Sequence, residues 1–278
     1  MSWRADESHP RKCFVIDTDR SRVAISDVTS TLTTDFDLPA LLQTVVEHAR
    51  SCFDAYSAVI VLLDERRTLG EGGLHIVAEA TRTDASADWS LNTSGPALIS
   101  ARDGAVSLVT DLALAEDTRW PDYRSRAVAA GLRGVRAFPL RTPGAAIGSM
   151  IVHTEQPWGN RLPPGDFGQI LADLTAVALS AGNSRDRRDS VAGTVDAVLE
   201  GTILVTTAVG IIAEHFALEV IHARHRLSRL ARSHDVTVTE YARTVVDAQN
   251  RSPRDPGATG VFDTPPELQP PRHIDARG

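Results

Sequence analysis

Apolar positions change their period several times along this chain, and each change predicts an element. Leu38, Leu41, Leu42, Val45, Ala49, Cys52 and Phe53 recur at three- and four-residue steps, which places them on one stripe of a helix. Asp37 is placed to cap that helix, and Pro39 suits its first turn. Ala58 to Leu63 is an unbroken apolar run and predicts a buried strand. Leu74, Ile76, Ala78 and Ala80 alternate with His75 and Glu79, so the next strand has one wet face; Gly70, Gly72 and Gly73 mark the turn between the two. A short helix over 95–102, a strand over 105–109 and a helix over 122–130 follow, the last closed by Gly131 in a left-handed cap. Val135–Leu140 and Ala146–His153 read as a hairpin about Thr142-Pro143-Gly144, with Pro139 suited to an edge or a bulge. After Pro163-Pro164-Gly165-Asp166, a helix carries Phe167, Ile170, Leu171, Leu174, Val177, Ala178 and Ala181 on one face. Strands joined by hairpins beside segregated helices indicate an α+β domain with an antiparallel sheet flanked by helices. Before it, residues 1–35 form an extension, polar to about 21 and helical from Val23 to Leu32.

The last quarter is helical and has a different logic. Ala223, Leu227 and Ala231 stand four apart, flanked by Ala208 and Gly210 before and Ala242 after. Small side chains on such a stripe let another helix come close, so these six residues form the expected seam of an all-α three-helix bundle over 191–215, 219–234 and 238–248. Ile203 to Ile212 is rich in β-branched residues and leans locally toward strand; the seam decides for helix. Thr237 and Glu240 have capping-box spacing. Val191, Val195, Val198, Val205, Val209, Ile212 and Phe216 approach a heptad, with Thr202 the one polar gap. Two readings of that stripe stand: a coiled connection in a homodimer, and a lone helix packed on its own domain. The connection over 183–198 is read as a helical linker. The Pro-rich segment 249–278 is read as a disordered tail.

At 278 residues, 42% hydrophobic and 23% charged, the chain accommodates two globular domains. A net charge of −7 excludes nucleic-acid binding over the whole surface but leaves room for a local patch. Lys12 is the sole lysine, which reads as coding bias toward arginine. Cys13 and Cys52 have neither disulfide nor zinc spacing, in keeping with a reduced cytoplasmic setting. No apolar signal core opens the chain, and Ile203–Ala213 is too short to span a bilayer, so no membrane partner is expected. No nucleophile elbow, phosphate loop or metal motif appears, and no catalytic residue is assigned. His222 and His225 are three apart, but no third ligand completes a metal site.

Residues 36–182 resemble a GAF domain, a signal-sensing module. The resemblance is carried by Gly95-Pro96-Ala97-Leu98, Asp111-Leu112, Asp117-Thr118-Arg119-Trp120-Pro121, Ala130 to Val135, Phe138-Pro139-Leu140-Arg141 and Ile147-Gly148-Ser149-Met150. Residues 199–246 resemble an ANTAR domain, the RNA-binding output module of bacterial antiterminators, through Ala208-Val209-Gly210, Ala223, Leu227, Ala231, Tyr241-Ala242 and Val245-Val246. The pairing implies a regulator that binds stem-loops in nascent transcripts, with a small molecule or protein as the unknown input to the sensor. Arg226, Arg229, Arg232 and Arg243 are the implied RNA contacts. The chain departs from the ANTAR pattern at Ala217, where glycine is usual, at Glu219, which replaces a Ser cap, and at Thr202, Thr207 and Val209, where basic or amide residues are usual. Over 191–250, five arginines face seven carboxylates, a net of −2 that is poor for phosphate binding. The competing expectation is therefore a dimerisation or protein-docking module without RNA binding.

Overall fold

The computed structural model describes residues 18–34, 36–64, 73–82, 89–114, 119–142, 145–158, 167–185 and 191–263. Five antiparallel strands form one sheet: β1 (Ser57–Leu63), β2 (Leu74–Thr81), β3 (Ser107–Val109), β4 (Gly134–Arg141) and β5 (Ala146–Thr154), in the order β2-β1-β5-β4-β3. β1 pairs on both sides and is covered on both faces, which is why it reads as an unbroken apolar run. Pro139 pairs with Ser149 of β5, beyond the point where β3 stops at Ala137. The outer side of β4 has no strand partner there, so a residue without an N–H is tolerated. At Gly148 a Cβ would lie 2.1 Å from the Val61 carbonyl oxygen, so the β5–β1 approach requires glycine.

Two apolar layers enclose the sheet. On one face α1 (Thr18–Leu32), α2 (Leu38–Cys52) and α6 (Phe167–Arg185) pack Val28, Leu42, Val45, Leu171 and Leu179 against Ile60, Leu62, Phe138 and Met150. On the other, α4 (Pro96–Asp103) and α5 (Pro121–Ala129) pack Ala97, Ala101, Tyr123 and Ala127 against Val59, Val61, Val135 and Ile151; the short α3 (Trp89–Asn92) precedes them. α1 begins before the predicted boundary at 36 and belongs to the sheet domain, because Ala24 and Val28 are fully buried in its core.

The C-terminal region is three helices: α7 (Val191–Phe216), α8 (Val220–Ser233) and α9 (Val238–Arg251). The strand-leaning run inside α7 is helical because Val205, Ala208, Val209 and Ile212 all face one core with α8 and α9. This is tertiary packing overriding local preference. Val198, earlier on the same helix, is buried in the sheet-domain core instead. α7 therefore contributes to two cores. Residues 186–190, where a straight run from α6 was expected, lie outside the described residues. Asp196–Phe216 is long and apolar enough by length and composition to cross a membrane, a longer span than the run expected from sequence.

Three expectations need correction. Gly210 is exposed, with open space where its Cβ would be, so it takes no part in the seam; Ala208, Ala223, Leu227, Ala231 and Ala242 are buried together. Gly210 follows the buried Ala208 by two helical positions, a rotation of about 200°, which turns it to the opposite side. Asp37 makes no capping hydrogen bond to α2; its carboxylate is spent on α9. The segment after α9 is not disordered from 249: Asp255 caps a short 3₁₀ turn over Pro256–Thr259, and Val261 and Phe262 are buried in the bundle core. Residues 264–278 lie outside the described residues. Glu219 precedes α8 without a side-chain cap, whereas Thr237 and Glu240 form the expected capping box on α9.

Candidate nucleic-acid interface and sensor core

α8 carries four arginines, two histidines and no carboxylate. Ala223, Leu227, Leu230 and Ala231 bury one face, which leaves His222, His225, Arg229 and Arg232 exposed. Those four fall at steps of three, four and three, a single stripe about three turns long. The other predicted contacts lie differently. Arg226 is half-buried with its guanidinium 3.7 Å from the Phe216 ring centroid, a cation–π contact that ties α8 to the end of α7. Arg243 is exposed on α9, 3.8 Å from Glu200 of α7. The structure thus brings Arg229 and Arg232 together with two histidines, uses Arg226 in packing, and gives Arg243 an acidic neighbour. No group of three or more His, Cys, Asp or Glu side chains among the described residues is placed to hold a metal ion.

In the sheet domain the motif pieces converge. Ser149 of Ile147-Gly148-Ser149-Met150 donates its hydroxyl to the Ala97 carbonyl of Gly95-Pro96-Ala97-Leu98 at 2.9 Å. Asp111 binds Arg133 through two bonds, Nε to Oδ1 at 2.8 Å and Nη2 to Oδ2 at 2.6 Å, and accepts the Ala113 amide. The Arg133 hydrogen bonds hold its carboxyl below the usual aspartate range. Asp117 lies outside the described residues. Cys52 is a buried free thiol in the core, as its place on the helix stripe predicted.

Between the sheet and α5 runs a buried polar chain. His153 Nδ1 lies 3.0 Å from Ser57 Oγ, and Nε2 lies 2.9 Å from Tyr123 Oη. Burial pushes the imidazole down to about 4 and raises the Tyr123 phenol, so both are neutral near neutral pH. A neutral imidazole has one N–H and one lone pair, so one hydroxyl donates to the ring and the other accepts from it. Trp158 belongs to the other core, edge-on to Phe53 with ring centroids 5.4 Å apart. Ser57 and Tyr123 meet His153 across 96 and 30 residues, a pairing that leaves no local trace in the sequence.

The profile of the GAF domain family matches residues 37–179. Solved structures to which the chain is similar include the GAF domain of an Acinetobacter phosphoenolpyruvate-protein phosphotransferase, 12% identical with a TM-score of 0.46, covering 60% of this chain and 97% of that one. A free methionine-R-sulfoxide reductase from Neisseria meningitidis is 17% identical with a TM-score of 0.45, covering 59% and 91%. The chromophore-binding domain of a bacteriophytochrome from R. palustris is 11% identical with a TM-score of 0.46; the match covers 60% of this chain and 62% of that domain. No curated protein matches the sequence. With a family profile over more than half its length, laid on an antiparallel five-stranded sheet flanked by helices, the chain belongs to the GAF domain family.

Proposed function

We propose that this chain is a signal-responsive regulator in which the GAF domain is the sensor and the C-terminal bundle binds structured RNA. It acts on stem-loops of nascent transcripts in the cytoplasm and is not an enzyme. The observation that carries the reading is the exposed stripe His222, His225, Arg229 and Arg232 on a helix without a carboxylate. Arginine forks suit phosphate and stacked-base contacts, and phosphate neutralisation dominates nucleic-acid affinity. The buried small-residue seam supports the resemblance to an ANTAR domain on which the RNA assignment draws. α7 is the natural conduit, because one helix contributes to both cores. The test is a mobility-shift titration of the full chain against paired short RNA hairpins over a range of salt. Arg229→Ala with Arg232→Ala is expected to weaken binding and reduce the salt slope by about two; superimposable titration curves would remove the assignment.

A second reading has its own observation. Ile203, Val220 and Ile221 are 64%, 63% and 46% exposed on α7 and the start of α8, an apolar presentation suited to protein contact. In that reading the bundle is a dimerisation or docking module. A full chain that self-associates and ignores RNA would favour it.

A further inference from the structure

A cavity of about 270 Å³ lies where the bundle meets the sheet domain, walled by residues of α2, β2, α7 and α8. Its construction starts at the edge strand. Ile60 pairs with Ala78 and Val61 with Ile76, so Val77 is the extra residue of a β-bulge. The Val77 carbonyl, left out of the ladder, accepts the Thr202 hydroxyl of α7 at 3.2 Å. Gly201 lets α7 come that close, since a Cβ there would lie 2.9 Å from Pro39 Cγ of α2. Gln43 ties α2 to the same strand, donating Nε2 to the Glu79 carbonyl at 3.1 Å and to Glu47 at 3.0 Å. These contacts hold the walls apart as well as together.

Two charged side chains line this space from opposite units: Glu79 from β2 and Arg224 from α8. Glu79 Oε1 is shut from bulk solvent and accepts no hydrogen bond. Burial alone raises its carboxyl. Burial lowers the Arg224 guanidinium, and the charge acting against that effect is Glu47, not Glu79. Each charge is therefore partly desolvated without being the other's counter-ion, an arrangement that costs stability unless something else completes it. Water can hydrate each group but neutralises neither. The rest of the wall mixes the polar Gln43, Thr202 and Thr206 with Pro39, Ile76, Val77 and Val205, and this apolar part suits a short hydrocarbon spacer.

The geometry points to this cavity as the binding site of a small zwitterion, whose cationic group pairs with Glu79 and whose anionic group pairs with Arg224. One bound molecule would contact both the sheet edge and the bundle and so strengthen their docking by mass action. A simple anion would leave Glu79 uncompensated, and a simple cation would leave Arg224 with only the Glu47 charge acting on it. The site does not depend on RNA binding: uptake of the zwitterion without any RNA shift keeps this inference and removes the reading above.

The test is titration calorimetry on the full chain with a series of graded charge separation: glycine, β-alanine, 4-aminobutyrate and 6-aminohexanoate, against butylamine and butyrate as singly charged controls. At least one zwitterion is expected to bind tenfold or more tightly than both controls. Glu79→Gln and Arg224→Gln should each lower that affinity at least tenfold. Thr206→Trp, on an exposed wall residue of α7 where folding is not at stake, should abolish it by filling the space. Far-UV circular dichroism verifies the fold of each variant. Binding no tighter than the controls, or binding that survives all three substitutions, overturns the assignment.

Discussion

Asp37 and Thr239, 202 residues apart, are joined by two hydrogen bonds: the Thr239 hydroxyl donates to Oδ1 at 2.7 Å and its amide donates to Oδ2 at 2.8 Å. The carboxylate that opens α2 thus caps the first turn of α9, where helix N–H groups lack intrahelical partners and negative charge is favoured. Burial outweighs these bonds and holds the carboxyl above the usual aspartate range.

Removing that contact should loosen the bundle from the sheet domain. Asp37→Ala is expected to cost about 1–2 kcal/mol, the usual loss for a helix cap. Asp37→Asn should stay within about 1 kcal/mol of the native chain, because it keeps the polar partners and removes the buried charge. Urea denaturation of the two variants checks the difference, and equal losses would mean that the charge itself matters.

His153 predicts an acid-sensitive fold. Its imidazole is held near 4 by burial, against about 6.5 in an unfolded chain, so the unfolded state binds a proton first. Stability from this group is complete above about 6.5 and declines as pH falls toward 4, by up to about 3 kcal/mol. The neighbouring Tyr123 phenol, raised by burial, stays neutral throughout. Urea midpoints at pH 7.5 and 4.5 should differ less in His153→Gln than in the native chain.

Ala217 has φ of 48°, a left-handed conformation that glycine adopts without Cβ strain. Its amide closes the end of α7 on Glu214, and Leu218 N–H returns to Ala213. Because the residue is exposed, Ala217→Gly should stabilise the turn by about 1 kcal/mol, read as a higher thermal midpoint. A lower midpoint would mean that unfolded-state entropy outweighs the relieved strain.

Phe262 lies against His215 and Phe216, with centroids 4.7 and 5.1 Å away, and the Tyr241 hydroxyl donates to the preceding Val261 carbonyl. Phe262→Ala is expected to destabilise the bundle by about 3 kcal/mol, as for a buried aromatic in a core. Chemical denaturation measures it, and a loss under about 1 kcal/mol would show that the segment merely rests on the surface.

Strand and helix order, the α+β class and the helical C-terminal quarter were legible in the chain because each rests on local periodicity. Leu41, Val45 and Ala49 show a helix stripe in any window that contains them, and Ala223, Leu227 and Ala231 do the same. The exposed face of α8 follows from the same arithmetic, so Arg229 and Arg232 could be singled out before their surroundings were known. What periodicity cannot convey is which other element each face meets. Asp37 satisfies every local rule for capping α2, yet α9 supplies its donors. Composition marked the segment beyond α9 as unfolded, but its one large aromatic finds an open place on the bundle core. Glu79 looked like the wet side of an edge strand until α7 and α8 were laid over it. In each case the deciding energy is long-range burial, which depends on distances between residues far apart in the chain. Local sequence therefore determined the elements and their apolar faces, while tertiary packing alone decided which polar groups would be drawn out of water together.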